Sequence, residues 1–150
     1  MTTNEIVNLG VVCVLCEFIK YGVMHRNTFL NSPGLLNEDF SMKKAPNIYF
    51  AGQISGVEGY MESAASGILA GYNAARRIFG EDPISLPKIT MLGALSKYIS
   101  DETVGNFQPM NVNFSIIAPL EQRIRKKSEK NLAIANRSLA IIDEMKANGI

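Results

Sequence analysis

One hundred and fifty residues correspond to about one domain, and fifteen Lys and Arg against fourteen Asp and Glu leave a formal charge of +1. A hydrophobic fraction of 47% with 19% charged residues excludes wholesale disorder. The even balance excludes a strongly basic nucleic-acid protein and leaves room only for a local basic face. Two cysteines make no disulfide framework.

The longest apolar stretch, Val11 to Cys16, is far shorter than the roughly 20 residues of a spanning helix. No Lys or Arg precedes it, whereas Glu5 does, so the charged start of a secretory signal is missing. The expected compartment is the cytoplasm, where Cys13 and Cys16 stay reduced. Their C-x-x-C spacing suits redox or zinc chemistry. With apolar flanks and no second pair, burial as small hydrophobes is the better reading, and no metal site is expected.

Taken in chain order, residues 1–19 read as a short apolar element whose type the pattern leaves open, a strand through Val11–Leu15 being one reading. A second strand, Tyr21–Met24, ends at His25, Arg26 and Asn27. Asn31–Gly34 has turn composition. A polar stretch from Asn37 to Pro46 leads into Asn47–Ala51, an apolar run suited to a buried strand. The glycine-punctuated segment Gly52-Gln53-Ile54-Ser55-Gly56-Val57-Glu58-Gly59 follows. A helix is expected from Tyr60 or Met61 to about Phe79, closed by Gly80, with a small-residue stripe at Ala64, Gly67, Gly71 and Ala74. Pro87 opens a second helix to about Ser100, with Ile89, Leu92, Leu95 and Ile99 inward. Phe107–Asn111 reads as loop and Val112–Ile117 as a strand. A long last helix is expected from about Pro119, with Leu132, Ala135, Leu139 and Ile142 on one face. Between Leu120 and Lys146 it carries seven basic residues against four acidic ones.

Strand, glycine loop and helix together present backbone N–H groups and a positive helix end to an anion. The spacing here, G-x-x-x-G-x-x-G from Gly52, is neither the dinucleotide fingerprint G-x-G-x-x-G nor a P-loop. By spacing alone, a phosphate-binding loop and a tightly packed structural connection both remain open. His25 is the single histidine, and a structural role suits it as well as a binding one. Glu58 has the bland reading of an acid favoured by a helix start.

The stretch NIYFAGQISGVEGYMESAASGILAGYNAARRI, Asn47–Ile78, resembles the last flavin-contacting segment of the GidA-like flavoproteins that modify tRNA. YGVMHRNTFLNSP (Tyr21–Pro33), Val57–Tyr60 within the loop, and QPMNVNFSIIAPLE (Gln108–Glu121) narrow the resemblance to the TrmFO family. Those proteins are FAD- and folate-dependent tRNA (uracil-5-)-methyltransferases. The resemblance runs from about Glu17 to the C-terminus, and residues 1–16 stay unrecognised.

The resemblance implies transfer of a one-carbon unit from methylenetetrahydrofolate, through FAD, to uridine C5 in the tRNA T-loop, with NADH or NADPH as reductant. It places Gly52 and Gln53 beside the FAD pyrophosphate and ribityl chain, and Gly56, Val57, Glu58 and Gly59 near the isoalloxazine ring, where backbone amides stabilise negative charge. His25, Arg26 and Asn27 become candidates for the folate side, with Tyr60 stacking or donating a hydrogen bond. The family's catalytic cysteines lie upstream of the YGVMHRN segment; Cys13 and Cys16 fall outside the recognisable region, so they receive no such role and no catalytic residue is assigned.

The implied fold class is α/β, the C-terminal part of a Rossmann-like FAD-binding flavoprotein that is incomplete on its own. Residues 1–45 correspond to the end of an inserted domain and 46–150 to the C-terminal part of the FAD-binding domain. No G-x-G-x-x-G occurs, and a dinucleotide-binding sheet needs two βαβ halves. The expected partners are tRNA and the missing N-terminal half of the same protein, with no membrane. Alone, such a fragment is expected to be inactive and to show poor stability or self-association through its open strand edge. Two alternatives stand beside this reading: the same chemistry on ribosomal RNA, and a non-catalytic remnant that binds RNA or a partner.

Overall fold

A computed structural model describes residues 28–149. The Val11–Leu15 and Tyr21–Met24 strands, the C-x-x-C, and His25, Arg26 and Asn27 lie outside the described residues. Within them the chain forms a small antiparallel hairpin of β1 (Ser41–Met42) and β2 (Ala45–Tyr49). Three helices follow: α1 (Tyr60–Ile78), α2 (Met91–Ser100) and α3 (Lys127–Ala147).

The hairpin begins with a constrained residue. Phe40 has φ of 66°, an uncommon conformation for a bulky side chain, and its ring is fully buried. The neighbouring Asp39 carboxylate explains how it is held, accepting from the Ser41 amide at 3.0 Å and the Ser41 hydroxyl at 2.6 Å. Burial of the ring and this local turn together offset the backbone strain.

Phe40 packs with Val57, Leu69, Ala70, Leu95, Ile99 and Phe107 in the main core. A second, smaller cluster joins Ala94, Ile117 and Ile134. Between the two, the extended chain is pinned by polar side chains. Asn73 on α1 donates to the Ile84 carbonyl at 3.0 Å and accepts from the Ile84 amide at 2.7 Å, so both ends of a buried amide side chain are used.

Helix α1 occupies the span the sequence suggests, with Gly80 at φ of 75° just beyond its end. Its small-residue stripe is not the face packed on the core. Ser66, Leu69, Ala70 and Asn73 face the core, whereas Ala64, Gly67 and Gly71 are exposed. Met61, Ile68 and Phe79 are also exposed, at 81%, 74% and 79%.

Several boundaries move for identifiable reasons. Helix α2 starts at Met91 because Thr90 caps it, its hydroxyl accepting from the Gly93 amide. Pro87 instead opens a turn whose carbonyl accepts from the Thr90 amide and hydroxyl. The Asn47–Ala51 strand is shifted to Ala45–Tyr49 and is not buried; Pro46, Asn47 and Ile48 are exposed, since its one partner among the described residues is the two-residue β1. Val112–Ile117 forms no strand. The Asn113 side chain accepts from the Ser115 amide at 2.9 Å, a local turn that competes with strand pairing.

Helix α3 begins at Lys127 rather than near Pro119. The carbonyls of Ala118 and Pro119 are instead taken by the Arg137 guanidinium, and the cations from Arg123 to Lys127 disfavour an early helix start. Leu132 and Leu139 are 61% and 63% exposed, not inward. The contact face is one step round, at Ile134 and Ser138, the Ser138 hydroxyl donating to the Ile89 carbonyl at 2.8 Å. Among the described residues no helix is long and apolar enough to cross a membrane, and no cluster of three or more metal-ligating side chains forms.

Candidate functional site

The glycine segment folds as a 3-10 turn, Gly52–Ser55, followed by a left-handed residue and then the start of α1. Gly52, Gly56 and Gly59 all have positive φ, at 69°, 86° and 90°. Gly56 is required by its surroundings as well as by its backbone, and Gly59 chiefly by its backbone. A Cβ on Gly56 would overlap the Phe107 ring, and one on Gly59 would overlap the side chains of Glu62 and Asn111. G-x-x-x-G-x-x-G is therefore the spacing of one tight path, with the third glycine at the helix N-cap.

Serines lock this path from inside. The Gly52 amide donates to Ser66 Oγ at 2.9 Å, Ser55 Oγ donates back to the Gly52 carbonyl at 2.8 Å, and Ser32 Oγ donates to the Ser55 carbonyl at 2.8 Å. Ser32, Ser55 and Ser66 are all fully buried.

Three distant segments meet here. The Leu30 amide donates to the Ile54 carbonyl at 2.9 Å, and Phe29 meets Phe107 edge to face. From the other direction, the Met110 amide donates to the Gly56 carbonyl at 3.1 Å and the Glu58 amide to the Met110 carbonyl at 3.0 Å, a parallel bridge between Val57 and Met110. Phe29–Leu30, the glycine loop and Phe107–Met110 thus form one unit.

Outside this unit lies a surface cleft of about 530 Å³ lined by Gln53, Glu58, Gly59, Tyr60, Ser63 and Asn111. Gln53 and Tyr60 are exposed, Tyr60 at 96%. The Val57 side chain goes fully into the core. The amides of Gly56, Val57 and Glu58 are already donors, to the carbonyls of Gln53, Gly52 and Met110. The donors open to a ligand therefore begin one step later. The first-turn amides of α1 have no acceptor inside the helix, and no side chain caps them. Glu62, not Glu58, is the acid in that first turn.

Sequence reasoning passes over Ser63 and Asn111 as cleft residues. Asn111 lies within the QPMNVNF stretch, and Ser63 is one turn into α1, so both are within its reach. Among the described residues, the two clearly shifted titratable groups lie elsewhere, at α2. The hydrogen bond and charge of Glu38 raise the Lys97 ammonium. Hydrogen bonds from the Thr103 side chain and amide lower the Asp101 carboxyl.

A glycine path locked by buried serines runs into a helix start without a side-chain cap, and a distant segment closes the loop; such a start leaves backbone N–H groups open to an anion. Residues 14–82 match the family described as Glucose inhibited division protein A. The chain is 57% identical over 128 residues to the methylenetetrahydrofolate--tRNA-(uracil-5-)-methyltransferase TrmFO of Acetivibrio thermocellus, covering 85% of this chain and 29% of that protein. It is 55% identical over 126 residues to the TrmFO of Bacillus anthracis, covering 84% and 29%. The solved structure of Aquifex aeolicus GidA is 36% identical over 45% of this chain and 11% of that one, with a TM-score of 0.43, a likeness too low to fix the fold. The chain is thus similar to TrmFO proteins along 85% of its own length, and it spans less than a third of the length of the curated relatives it matches.

Proposed function

We propose that this chain supplies the flavin-facing glycine segment of a Rossmann-like FAD-binding enzyme that methylates uridine C5 in the tRNA T-loop. In this reading 46–150 is the C-terminal part of the FAD-binding domain and 1–45 the end of an inserted one. The observation that carries the proposal is the packing of Phe29–Leu30, the Gly52–Gly59 loop and Phe107–Met110 into one unit, beside a cleft that the loop lines through Gln53, Glu58 and Gly59. The three packed segments are those through which the sequence resembles the family.

The residues present fit the cofactor. A Cβ on Gly59 would meet Asn111 at the cleft edge, so bare backbone stands there, and the free first-turn amides of α1 suit an anionic or electron-rich edge. Gly52 and Gln53 would hold the pyrophosphate and ribityl end. Glu58, Gly59 and Tyr60 would hold the ring, with Gly56 and Val57, buried and with their amides donating to Gln53 and Gly52, shaping the path beneath it. When bound, FAD supplies the redox relay between the folate one-carbon unit and the uridine. The chain's own residues bind and orient it: Gln53 through its amide, Tyr60 through its exposed ring, Ser63 and Asn111 through hydrogen bonds. His25, Arg26 and Asn27 are proposed for the folate side, with NADH or NADPH as reductant. The remaining parts of the site belong to the portion of the relatives that this chain does not span, so the chain by itself is proposed to be inactive.

A chimera tests this. The matched 128 residues of the Acetivibrio thermocellus relative are replaced by those of this chain. The expected product is yellow and forms 5-methyluridine in tRNA given methylenetetrahydrofolate and reduced nicotinamide. Methylation of ribosomal RNA but not tRNA would move the reading to the other substrate. A folded, colourless chimera would favour a non-catalytic remnant.

A further inference from the structure

Eight residues before and into α3, Arg123-Ile124-Arg125-Lys126-Lys127-Ser128-Glu129-Lys130, carry five cations and one acid. That local excess of four stands out in a chain whose whole charge is +1, because the rest must then be net acidic. All five cations are exposed. Elsewhere some cations are matched to acids, as in Lys43–Glu102, Arg76–Glu81 and Lys97–Glu38, and those that are not matched among the described residues, such as Lys44 and Lys88, do not form a run of this density. Within this segment Glu129 meets Lys126 at 3.0 Å, and Arg123, Arg125, Lys127 and Lys130 form no ion pair among the described residues.

The frame beneath these side chains is fixed. Ile117 before the segment and Ile134 after it are buried in one cluster. Arg137 holds the carbonyls of Ala118 and Pro119. Ile124 is half-buried while Arg123 and Arg125 on either side are exposed. The cations are thus displayed from an anchored loop and helix, not from a free tail. Like charges crowded together beside the positive end of a helix dipole are unfavourable for the fold, and folding gives most of them no partner. An external polyanion does: guanidinium groups meet phosphates bidentately and ammonium groups meet them as point charges.

We infer that the Arg123–Lys130 ledge binds the phosphate backbone of a folded RNA. The inference rests on the proposed tRNA reading and goes beyond it by assigning the residues that hold the RNA's backbone. It requires sequence-independent interactions that position the substrate and do not read bases.

The test uses the full 150-residue chain and a fluorescently labelled tRNA transcript, with affinity measured across a salt series. Arg123→Gln with Arg125→Gln is one variant, and Lys126→Gln with Lys127→Gln and Lys130→Gln is another. Lys88→Gln, exposed and outside the ledge, is the control, and circular dichroism checks folding. Neutralising each cation that pairs with a phosphate should lower the slope of log affinity against log salt by about 0.7–0.9, and all five changes together should weaken binding at least tenfold. Lys88→Gln should leave both unchanged. Absence of tRNA binding, or variants that bind with an unchanged slope, overturns the ledge. Binding only to vesicles rich in anionic lipid overturns it in favour of a lipid surface. Flavin uptake by the chimera is independent of these charges, so failure of the ledge and failure of the flavoprotein reading are told apart.

Discussion

Phe29 and Phe107, seventy-eight positions apart, meet edge to face with ring centroids 6.1 Å apart and an interplanar angle of 67°. Phe107 also lies against Gly56 and tilts onto Tyr98 at 5.6 Å. One ring therefore ties the N-terminal segment, the glycine loop and α2 together. Phe107→Ala should cost about 3 kcal/mol or more, read as a fall in the urea midpoint. Phe107→Leu, which keeps most of the volume, should cost less than half of that. Equal losses would mean that side-chain volume at this position is not what holds the loop.

Two glycines in neighbouring elements should respond in opposite directions. Gly56→Ala puts a side chain at positive φ, costing about 1–2 kcal/mol, and drives it into Phe107. Gly67 lies mid-helix with open space around it, so Gly67→Ala should gain about 0.5–1 kcal/mol in this chain. Thermal melts of the two variants check the signs.

Asn73 bridges α1 to the extended chain at Ile84 through both atoms of its amide. Asn73→Ala leaves the Ile84 amide and carbonyl unpaired, at a cost of about 1–3 kcal/mol. Asn73→Asp keeps the acceptor and loses the donor, so it should be intermediate at neutral pH. Hydrogen exchange at the Ile84 amide should speed up most in the alanine variant.

Asp101 gives a pH-dependent contribution of known sign. Its carboxylate accepts from Thr103 Oγ1 at 2.7 Å and the Thr103 amide at 3.0 Å, and these hydrogen bonds hold it below the usual carboxylate range. A lowered folded-state value means stability present above the unfolded value and lost as pH falls through the folded one. Asp101→Asn should therefore be less stable than the parent at neutral pH, with the gap closing in acid. A gap that widens in acid contradicts the assignment.

How much of this is legible in the sequence depends on what each signal measures. The span of α1 follows from its periodicity and from Gly80, and the loop from its glycines. The buried face of α1 does not follow from its small residues, because they allow close approach without requiring it; Leu69 and Asn73 decide the packing instead. The strand expected over Val112–Ile117 fails because β-forming side chains need a neighbouring strand, and Asn113 offers its backbone a turn. Pro119 gives a false start to α3, since nothing in local composition shows that Arg137, eighteen residues on, claims its carbonyl. At the site, glycine spacing locates the path. It cannot show that Gly56, Val57 and Glu58 spend their amides inside the protein, because one of the acceptors, Met110, is more than fifty residues away.

The most direct measurement is the visible absorbance of the purified chimera, with and without Gly59→Val. The substitution places a branched side chain where Glu62 and Asn111 already stand, at a φ of 90°. A flavin spectrum in the parent chimera that is lost in a still-folded Gly59→Val variant is the result expected if the Gly52–Tyr60 segment cradles the cofactor. A colourless parent, or full flavin content in the variant, would contradict it.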